Sequence, residues 1–466
     1  MARLGYNTLT LFNWGLVAST AIGFAFTSHL LGAEYLILTL LICIVSLSFC
    51  YFCPMSPNTL FPFGVFFIYI HCSYIFKFFV ILLYPTCLNF AYPKLDYSSL
   101  REDSFYTALT CVFLSLIGLV AAYFLSLLFI PFEATDSRAN RYSKTFSDRH
   151  LYFAGLISTA IFIVCYSTVH SLGFFAGNVS ALPWRLGGVL NLALEITFPA
   201  LILYIIWCAS TDSSLKRWTY FSYAMLLLHT IAQVFLRTSK GVVFHITLLL
   251  FLLHINSKPN QRLGKLIWAL LVLGGVVSFQ FGYVFRSTRA SDSRISDSVA
   301  EISAHENLFG HDGLMRILMR FPGAETILGI VNRHDVYLGW DAVDELSRKR
   351  HLTGYFSNSF HRIPESSAVG MAPGPLGLPY IVFGEIGVLV GIIVIILLLR
   401  ILWRVSDLDS VRAKPLIKCL ISYFICTSIQ EGTWDLSVTT TFPVLLFTCL
   451  LCETLHRIGR PKVALA

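Results

Sequence analysis

The sequence predicts an all-α polytopic membrane protein, and two features of its composition carry that prediction. Hydrophobic residues make up 56% of the 466 residues, whereas Asp, Glu, Lys and Arg together make up 13%. Soluble domains hold about a quarter charged residues. Apolar runs of about 20 residues, the length that crosses a bilayer as a helix, recur along the chain. The composition therefore excludes a soluble multidomain protein, and a net charge of only +8 gives no reason to expect nucleic acid as a partner.

About twelve apolar segments are predicted to be transmembrane helices. Nine of them fall in residues 1–285, and three fall in residues 376–466 together with a polar tail. A single long polar loop over 286–375 separates the two groups. The predicted segments lie near 10–31, 34–52, 60–83, 104–131, 151–169, 188–207, 218–236, 241–255, 266–285, 376–402, 416–430 and 437–454.

The basic residues between these segments predict the orientation of the chain. Counting segments places four basic loops and the basic C-terminal tail on the same side of the membrane. Short loops rich in Lys and Arg stay in the cytoplasm, so we expect both termini to be cytoplasmic and the loop over 286–375 to be outside. The clusters are Arg138, Arg141, Lys144 and Arg149; Lys216 and Arg217; Lys258, Arg262 and Lys265; Arg404, Arg412, Lys414 and Lys418; and Arg457, Arg460 and Lys462.

The loop over 286–375 is the main candidate for a functional region. It holds 11 of the 26 acidic residues of the chain, and loops of such length in compact proteins are usually functional. The stretches 313–319 and 339–350 have the pattern of short helices, and Pro and Gly residues punctuate the return to the membrane. We expect a cap of short helices over the outer face.

Basic residues on the predicted external side indicate an anion site. Arg185, Arg237, Lys240, Arg286 and Arg289 all fall at the external membrane boundary, against the usual bias. Arg286 and Arg289 share one helix face, and guanidinium groups bind phosphate oxygens in pairs. The alternative is that these residues contact lipid headgroups or pair with acidic residues of the loop.

Ionisable residues near and within the predicted helices are further candidates for functional sites. His361, Arg362 and Glu365 precede the return to the membrane and together offer a general base and an anion clamp. Glu385 is predicted about ten residues into the tenth helix, and Glu195 lies in the sixth. A carboxylate at that depth is costly in hydrocarbon, so each is expected to face the protein interior or a wet cavity, with structural pairing to Arg or His as the alternative.

Several histidines and an aspartate pair are predicted to have structural roles and not to form a binding site. His229, His245 and His254 lie on apolar helices and are predicted to be interior histidines with hydrogen-bond partners. Asp407 and Asp409 imitate a metal-binding aspartate pair, but they lie between basic residues of a predicted cytoplasmic loop, so we interpret them as a solvated turn. The sequence contains no nucleotide-binding fingerprint, and its twelve cysteines lie almost all inside apolar segments and none in the long polar loop, so no metal and no cofactor are predicted.

Three patches between residues 225 and 440 carry a family pattern. They are the turn Thr238-Ser239-Lys240-Gly241, the basic opening of the long loop at Arg286 and Arg289, and the run APGPLG at 372–377 with the aromatic and glycine residues after it. Together they resemble the Wzy-type polysaccharide polymerases, which include the O-antigen and enterobacterial common antigen polymerases. The first patch is similar to the family's Ser/Thr-Arg-Gly/Ala turn, with Lys240 in the place of the Arg.

This resemblance implies a GT-C-like fold and metal-independent glycosyl transfer on the periplasmic face of the bacterial inner membrane. The implied donor is a growing glycan on undecaprenyl pyrophosphate, and the implied acceptor is one lipid-linked repeat unit. Fixed basic residues stabilise the departing pyrophosphate, and His361, Glu365 and Glu431 are the candidate bases for the attacking sugar hydroxyl. A chain-length regulator and a flippase are the implied protein partners.

Two other functions share parts of this pattern. A ligase that transfers finished glycan to lipid A core would use the same donor and the same basic clamp. A transporter or flippase for an anionic lipid-linked sugar would also have many helices and external bases. The halves of the chain show no internal repeat, and the charged residues concentrate in the loops, which favours a transferase over a transporter.

Overall fold

A computed structural model gives the fold of the chain in segments. The segments that it describes are almost wholly helical and contain no strand. These segments are residues 2–30, 32–53, 55–56, 59–88, 102–129, 148–171, 186–210, 215–237, 242–256, 315, 319, 323–332, 339–341, 373–408, 411–432 and 441–459.

We number the helices of the described segments α1 to α12 in chain order. Two of them contain π-helical turns: α3 at Leu60–Gly64 and Ile70–Ile75, and α6 at Ala193–Thr197. The helices are α1 (Ala2–Thr27), α2 (Ala33–Phe52), α3 (Leu60–Leu83), α4 (Glu102–Phe129), α5 (Asp148–Ser171), α6 (186–210), α7 (Lys216–Arg237), α8 (Val242–Asn256), α9 (Ala324–Asn332), α10 (Gly374–Val405), α11 (Lys414–Glu431) and α12 (Phe442–Ile458).

Seven stretches of the described helices are long and apolar enough to cross a membrane. The protein is therefore a helical, multi-pass membrane protein, as predicted. Helices α7, α8, α11 and α12 also coincide with predicted segments, and the predicted ninth segment at 266–285 lies outside the described residues. The seven stretches are Thr10–Leu30, Ala33–Phe52, Leu60–Leu83, Asp103–Phe129, Asp148–Ser167, Val189–Ala209 and Gly374–Val405.

The chain forms two compact units, each made of segments that are distant in sequence. Unit 1 comprises Met1–Asp136, Phe309–Val405 and Ile425–Ser437. Unit 2 comprises Ser137–Leu308, Ser406–Phe424 and Val438–Ala466.

The core of unit 1 forms where α4 packs along α10. Gly118 of α4 allows the close approach, because a Cβ there would lie only 3.0 Å from the Leu389 carbonyl oxygen. Aromatic side chains join other helices of the unit: the rings of Phe49 in α2 and Phe67 in α3 stack with centroids 4.6 Å apart. Offset and edge-on ring contacts of this kind stabilise packing beyond the burial of area alone.

Helix α10 is broken at Gly384. This residue has φ 64° and ψ −148°, a region that only glycine adopts without strain. The chain folds back there, because a Cβ at Gly391 would lie 2.9 Å from Cβ of Pro379, whereas twelve residues of straight helix span about 18 Å. We call residues 374–383 α10a and residues 385–405 α10b. Helix α10b alone is about 31 Å long, which is enough to span the hydrocarbon core.

The break changes the position of Glu385. The prediction that this carboxylate lies about ten residues into a continuous helix is wrong, because Glu385 is the first residue of α10b. Its side chain is exposed. A carboxylate in the first turn of a helix is favoured by the N-terminal end of the helix dipole, so Glu385 does not need a buried cationic partner.

Unit 2 is built around α6, whose residues from Phe198 to Ile205 include an almost unbroken buried run. Glu453 of α12 holds the start of α11: its carboxylate accepts hydrogen bonds from the backbone N–H of Arg412 at 3.0 Å and of Ala413 at 2.9 Å. The side chain of Arg457, one turn further along α12, donates to the same carboxylate at 2.8 Å. These bonds satisfy amides that helix geometry leaves without an internal partner.

We predict that Gly384→Ala destabilises the protein by about 1–3 kcal/mol, because an L side chain is strained in this backbone conformation. The measurement is thermal unfolding of the purified protein in detergent. The matched control is Gly15→Ala in α1, where a Cβ would meet nothing within 4 Å. Equal unfolding temperatures for the two variants would contradict the proposed break.

Candidate functional site

The structure describes two of the predicted site residues. Glu431 is the last residue of α11 and is exposed, and Arg237 is the last residue of α7. For Arg237 only the backbone is described. The remaining predicted residues lie outside the described residues, and their roles stay predictions: Arg185, Lys240, Arg286, Arg289, His361, Arg362 and Glu365.

A buried ion pair connects the long loop to a membrane helix of unit 1. Nζ of Lys77 in α3 donates to both carboxylate oxygens of Glu325 in α9, at 3.0 and 3.1 Å. The side chains are 1% and 0% exposed. Helix α9 belongs to the loop over 286–375, which the sequence predicted as an outer cap, yet seven of its nine residues are buried. This part of the loop is thus packed into the unit.

The local sequence allows α9 to approach α3 closely. Gly323, just before α9, lies against the backbone of α3, because a Cβ there would be 2.7 Å from the Ser73 carbonyl carbon. Glu325 lies in the first turn of α9, where the helix dipole favours a carboxylate. The backbone amides of Gly323 and Glu325 act with Lys77 to favour the charged form of this carboxylate.

Burial dominates the electrostatics of the site. It raises the pKa of the Glu325 carboxyl, and the Lys77 ammonium and the two amides oppose that shift. Burial also raises the pKa of the Cys87 thiol to about 11, and the nearby Glu325 carboxylate acts in the same direction. Because a thiol with this pKa is protonated at neutral pH, Cys87 is not activated as a thiolate nucleophile.

Helix α9 also contacts the start of α10a and the start of α4. Ile330 packs on Gly377, where a Cβ would lie 2.8 Å from Ile330 Cδ1. The hydroxyl of Ser104, in the first turns of α4, donates to the side-chain oxygen of Asn332 at 3.2 Å. Helix α9 is therefore the element that joins α3, α4 and α10a at one end of unit 1.

The end of α11 meets the start of α10a at the same place. Gly432 has φ 64° and lies against the 374–375 peptide, since a Cβ there would be 2.7 Å from the Pro375 nitrogen. The Tyr69 hydroxyl of α3 donates to the Gln430 carbonyl oxygen at 2.9 Å. Residues 430–432 at the end of α11 and residues 374–375 at the start of α10a therefore come together, and Glu431 lies at this junction.

The sequence contained a signal for half of the buried pair. Lys77 is the only Lys, Arg, Asp or Glu in α3, and a lone charge in a membrane helix indicates a functional or paired residue. Its partner had no such signal, because Glu325 is one of 11 acidic residues in the loop. Only the tertiary contact distinguishes it from the others.

Other predicted interpretations can be checked in unit 2. The Tyr166 hydroxyl lies 3.0 Å from Nδ1 of His229, and the Tyr423 hydroxyl lies 2.7 Å from Nδ1 of His245. The prediction that these two histidines have interior partners is confirmed. Glu195 lies on the π-helical turn of α6 and is exposed, so the structure does not bear out the expectation that this carboxylate is buried in the protein interior.

Asp407, one member of the aspartate pair, contacts two lysines. Asp407 forms an ion pair with Lys418 at 2.5 Å, and its carbonyl oxygen accepts a hydrogen bond from Lys414 at 2.9 Å. Asp409 lies outside the described residues. Across the described segments, no group of three or more His, Cys, Asp or Glu side chains has a metal-binding arrangement.

No protein-family model, no curated protein and no solved structure matches the chain.

We predict that Lys77→Met destabilises the protein by about 3–5 kcal/mol, because it leaves the Glu325 carboxyl buried without its cationic partner. The double variant Lys77→Met/Glu325→Met should recover most of this loss, since apolar pairs of similar volume replace buried ion pairs at little cost. Thermal unfolding in detergent measures both. Glu34→Gln, which changes an exposed carboxylate of unit 1, is the control and should unfold like wild type. A Lys77→Met protein as stable as this control would contradict the described pair.

Proposed function

We propose that this protein is a Wzy-type polymerase, a membrane glycosyltransferase that joins undecaprenyl-pyrophosphate-linked repeat units into a surface polysaccharide. The observation that carries the proposal is the junction in unit 1. There the described part of the APGPLG patch, at the start of α10a, is in backbone contact with Gly432 at the end of α11, beside a loop helix held by a buried ion pair. A transfer site at a membrane surface requires loop and helix residues at fixed positions, and this junction supports such a site.

The chemistry requires a leaving-group clamp and an acceptor base. Arg286 and Arg289, with Arg185, Arg237, Lys240 and Arg362, are the proposed ligands of the pyrophosphate, because fixed cations stabilise the charge that develops as it departs. The acceptor hydroxyl attacks the anomeric carbon, the bond to the pyrophosphate oxygen breaks, and a base takes the hydroxyl proton. His361, Glu365 and Glu431 are the candidate bases. The proposed reaction uses no metal and no cofactor.

The proposed setting is the bacterial inner membrane, with about twelve transmembrane helices in a GT-C-like arrangement and both termini in the cytoplasm. One geometric fact supports this topology. Counting the predicted transmembrane helices from a cytoplasmic N-terminus puts the end of α3, the start of α4 and the end of α11 on the periplasmic side. The first two contact α9 and the third contacts α10a, so all three belong to one end of unit 1.

A transporter or flippase for a lipid-linked sugar is the second candidate. The break in α10 favours it, because discontinuous membrane helices are typical of transporter binding sites. A ligase-like transferase shares the donor and the site of the polymerase. The three functions differ in their products.

The deciding experiment deletes the chromosomal copy and examines the surface glycan by gel electrophoresis of the cell envelope. If the protein is a polymerase, the deletion strain should carry surface glycan capped with a single repeat unit. Absence of all surface glycan would indicate a ligase or a flippase, and an unchanged ladder would reject all three. The lipid-linked glycan extracted from the deletion strain is then incubated with purified protein in liposomes, where a polymerase lengthens it without any second acceptor.

The same assay identifies the base. We predict that His361→Ala abolishes extension while binding of the lipid-linked donor persists, because the imidazole titrates near neutral pH and precedes the return helix closely. If Glu431→Gln is inactive and His361→Ala is active, the role moves to the carboxylate at the junction. Glu365→Gln is tested in parallel. Activity in all three variants would contradict general-base catalysis by this region.

A further inference from the structure

The buried pair is costly in a membrane helix, and that cost needs an explanation. Lys77 lies six residues before the end of α3 at Leu83, which is about 9 Å along a helix axis. An unpaired ammonium at this depth is unfavourable in hydrocarbon. The Glu325 carboxylate satisfies it with two hydrogen bonds and full burial. An apolar pair would hold two helices together at least as well, so cohesion alone does not account for the two charges.

The pair specifies position, which an apolar contact does not. A carboxylate bonded through both oxygens to one ammonium favours one depth and one rotation of α9 along α3, and an apolar contact is less selective for a single register. Helix α9 transmits that position onward, because Ile330 fits the space over Gly377 of α10a. Helix α10a in turn contacts Gly432, next to Glu431. A continuous chain of contacts therefore runs from the pair to the candidate site.

We infer that Lys77 and Glu325 are positioning residues for glycosyl transfer: their pair sets the depth of α9 and thereby the placement of α10a and the end of α11 at the transfer site. The inference rests on the proposed function. Neither residue is assigned contact with the substrate, and neither acts as acid or base in the reaction. Loss of the pair is expected to lower kcat, because misplacement by about 1 Å costs up to a hundredfold in rate.

The test separates position from stability and from the proposed function. Purified wild type, Glu325→Gln, the apolar double variant Lys77→Met/Glu325→Met and the control Glu34→Gln are compared in two measurements. The first is hydrogen exchange by mass spectrometry over residues 323–332, which does not depend on any activity. The second is kcat and KM for extension of the lipid-linked glycan from the deletion strain.

In Glu325→Gln we expect exchange over 323–332 to be about tenfold faster or more, with α1 and α2 unchanged. In the stable double variant we expect kcat to fall about tenfold to a hundredfold while KM changes less than about threefold, since substrate contacts remain. The control should match wild type in both measurements.

Three results would overturn the inference. They are rapid exchange over 323–332 in wild type, wild-type kcat in the double variant, and wild-type exchange together with wild-type kcat in Glu325→Gln. If wild-type protein does not extend the glycan at all, the proposed function fails, and the exchange measurement still decides whether the pair fixes α9.

Discussion

One ammonium group in an apolar helix constrains the architecture of unit 1. Lys77 is surrounded by apolar residues of α3 and is 1% exposed, so its charge needs a partner inside the protein. The partner comes from a loop helix 248 positions away in sequence. Because satisfying this charge requires α9 to enter the unit, a segment that polarity alone would place in water becomes part of the core.

The contacts around α9 follow from that requirement. Its buried faces need room, and glycines at 323 and 377 provide it by removing Cβ atoms that would collide with Ser73 and Ile330. The break at Gly384 has a related consequence, because it turns one apolar run into a short helix beside α9 and a separate helix of spanning length. The chain thereby places a half-helix next to the end of α11 and leaves the membrane crossing to α10b.

The arrangement joins two views of the candidate site. The sequence predicts basic and acidic residues at the external membrane boundary that would bind an anion and activate a hydroxyl. The described contacts add a framework in unit 1: the buried pair of Lys77 and Glu325, the Tyr69 hydrogen bond and the close approach of Gly432 to α10a. The proposed transfer site requires both, since reactive groups are effective only when the elements that carry them are held in place.

The sequence by itself determined the class of this protein. Apolar runs and few charges predict a helical multi-pass membrane protein because backbone groups in hydrocarbon must be hydrogen-bonded within the segment, and the described helices begin and end close to the predicted segments. Sequence also predicted partners for His229 and His245, since a polar group on an apolar helix must be satisfied. The tertiary structure alone decided that α10 is broken before Glu385, because hydropathy does not register a backbone dihedral. It alone decided which loop carboxylate meets Lys77 and that residues near 375 and 432 are in contact, because a pairing between distant segments depends on the packing of the whole unit and leaves no local pattern in either segment.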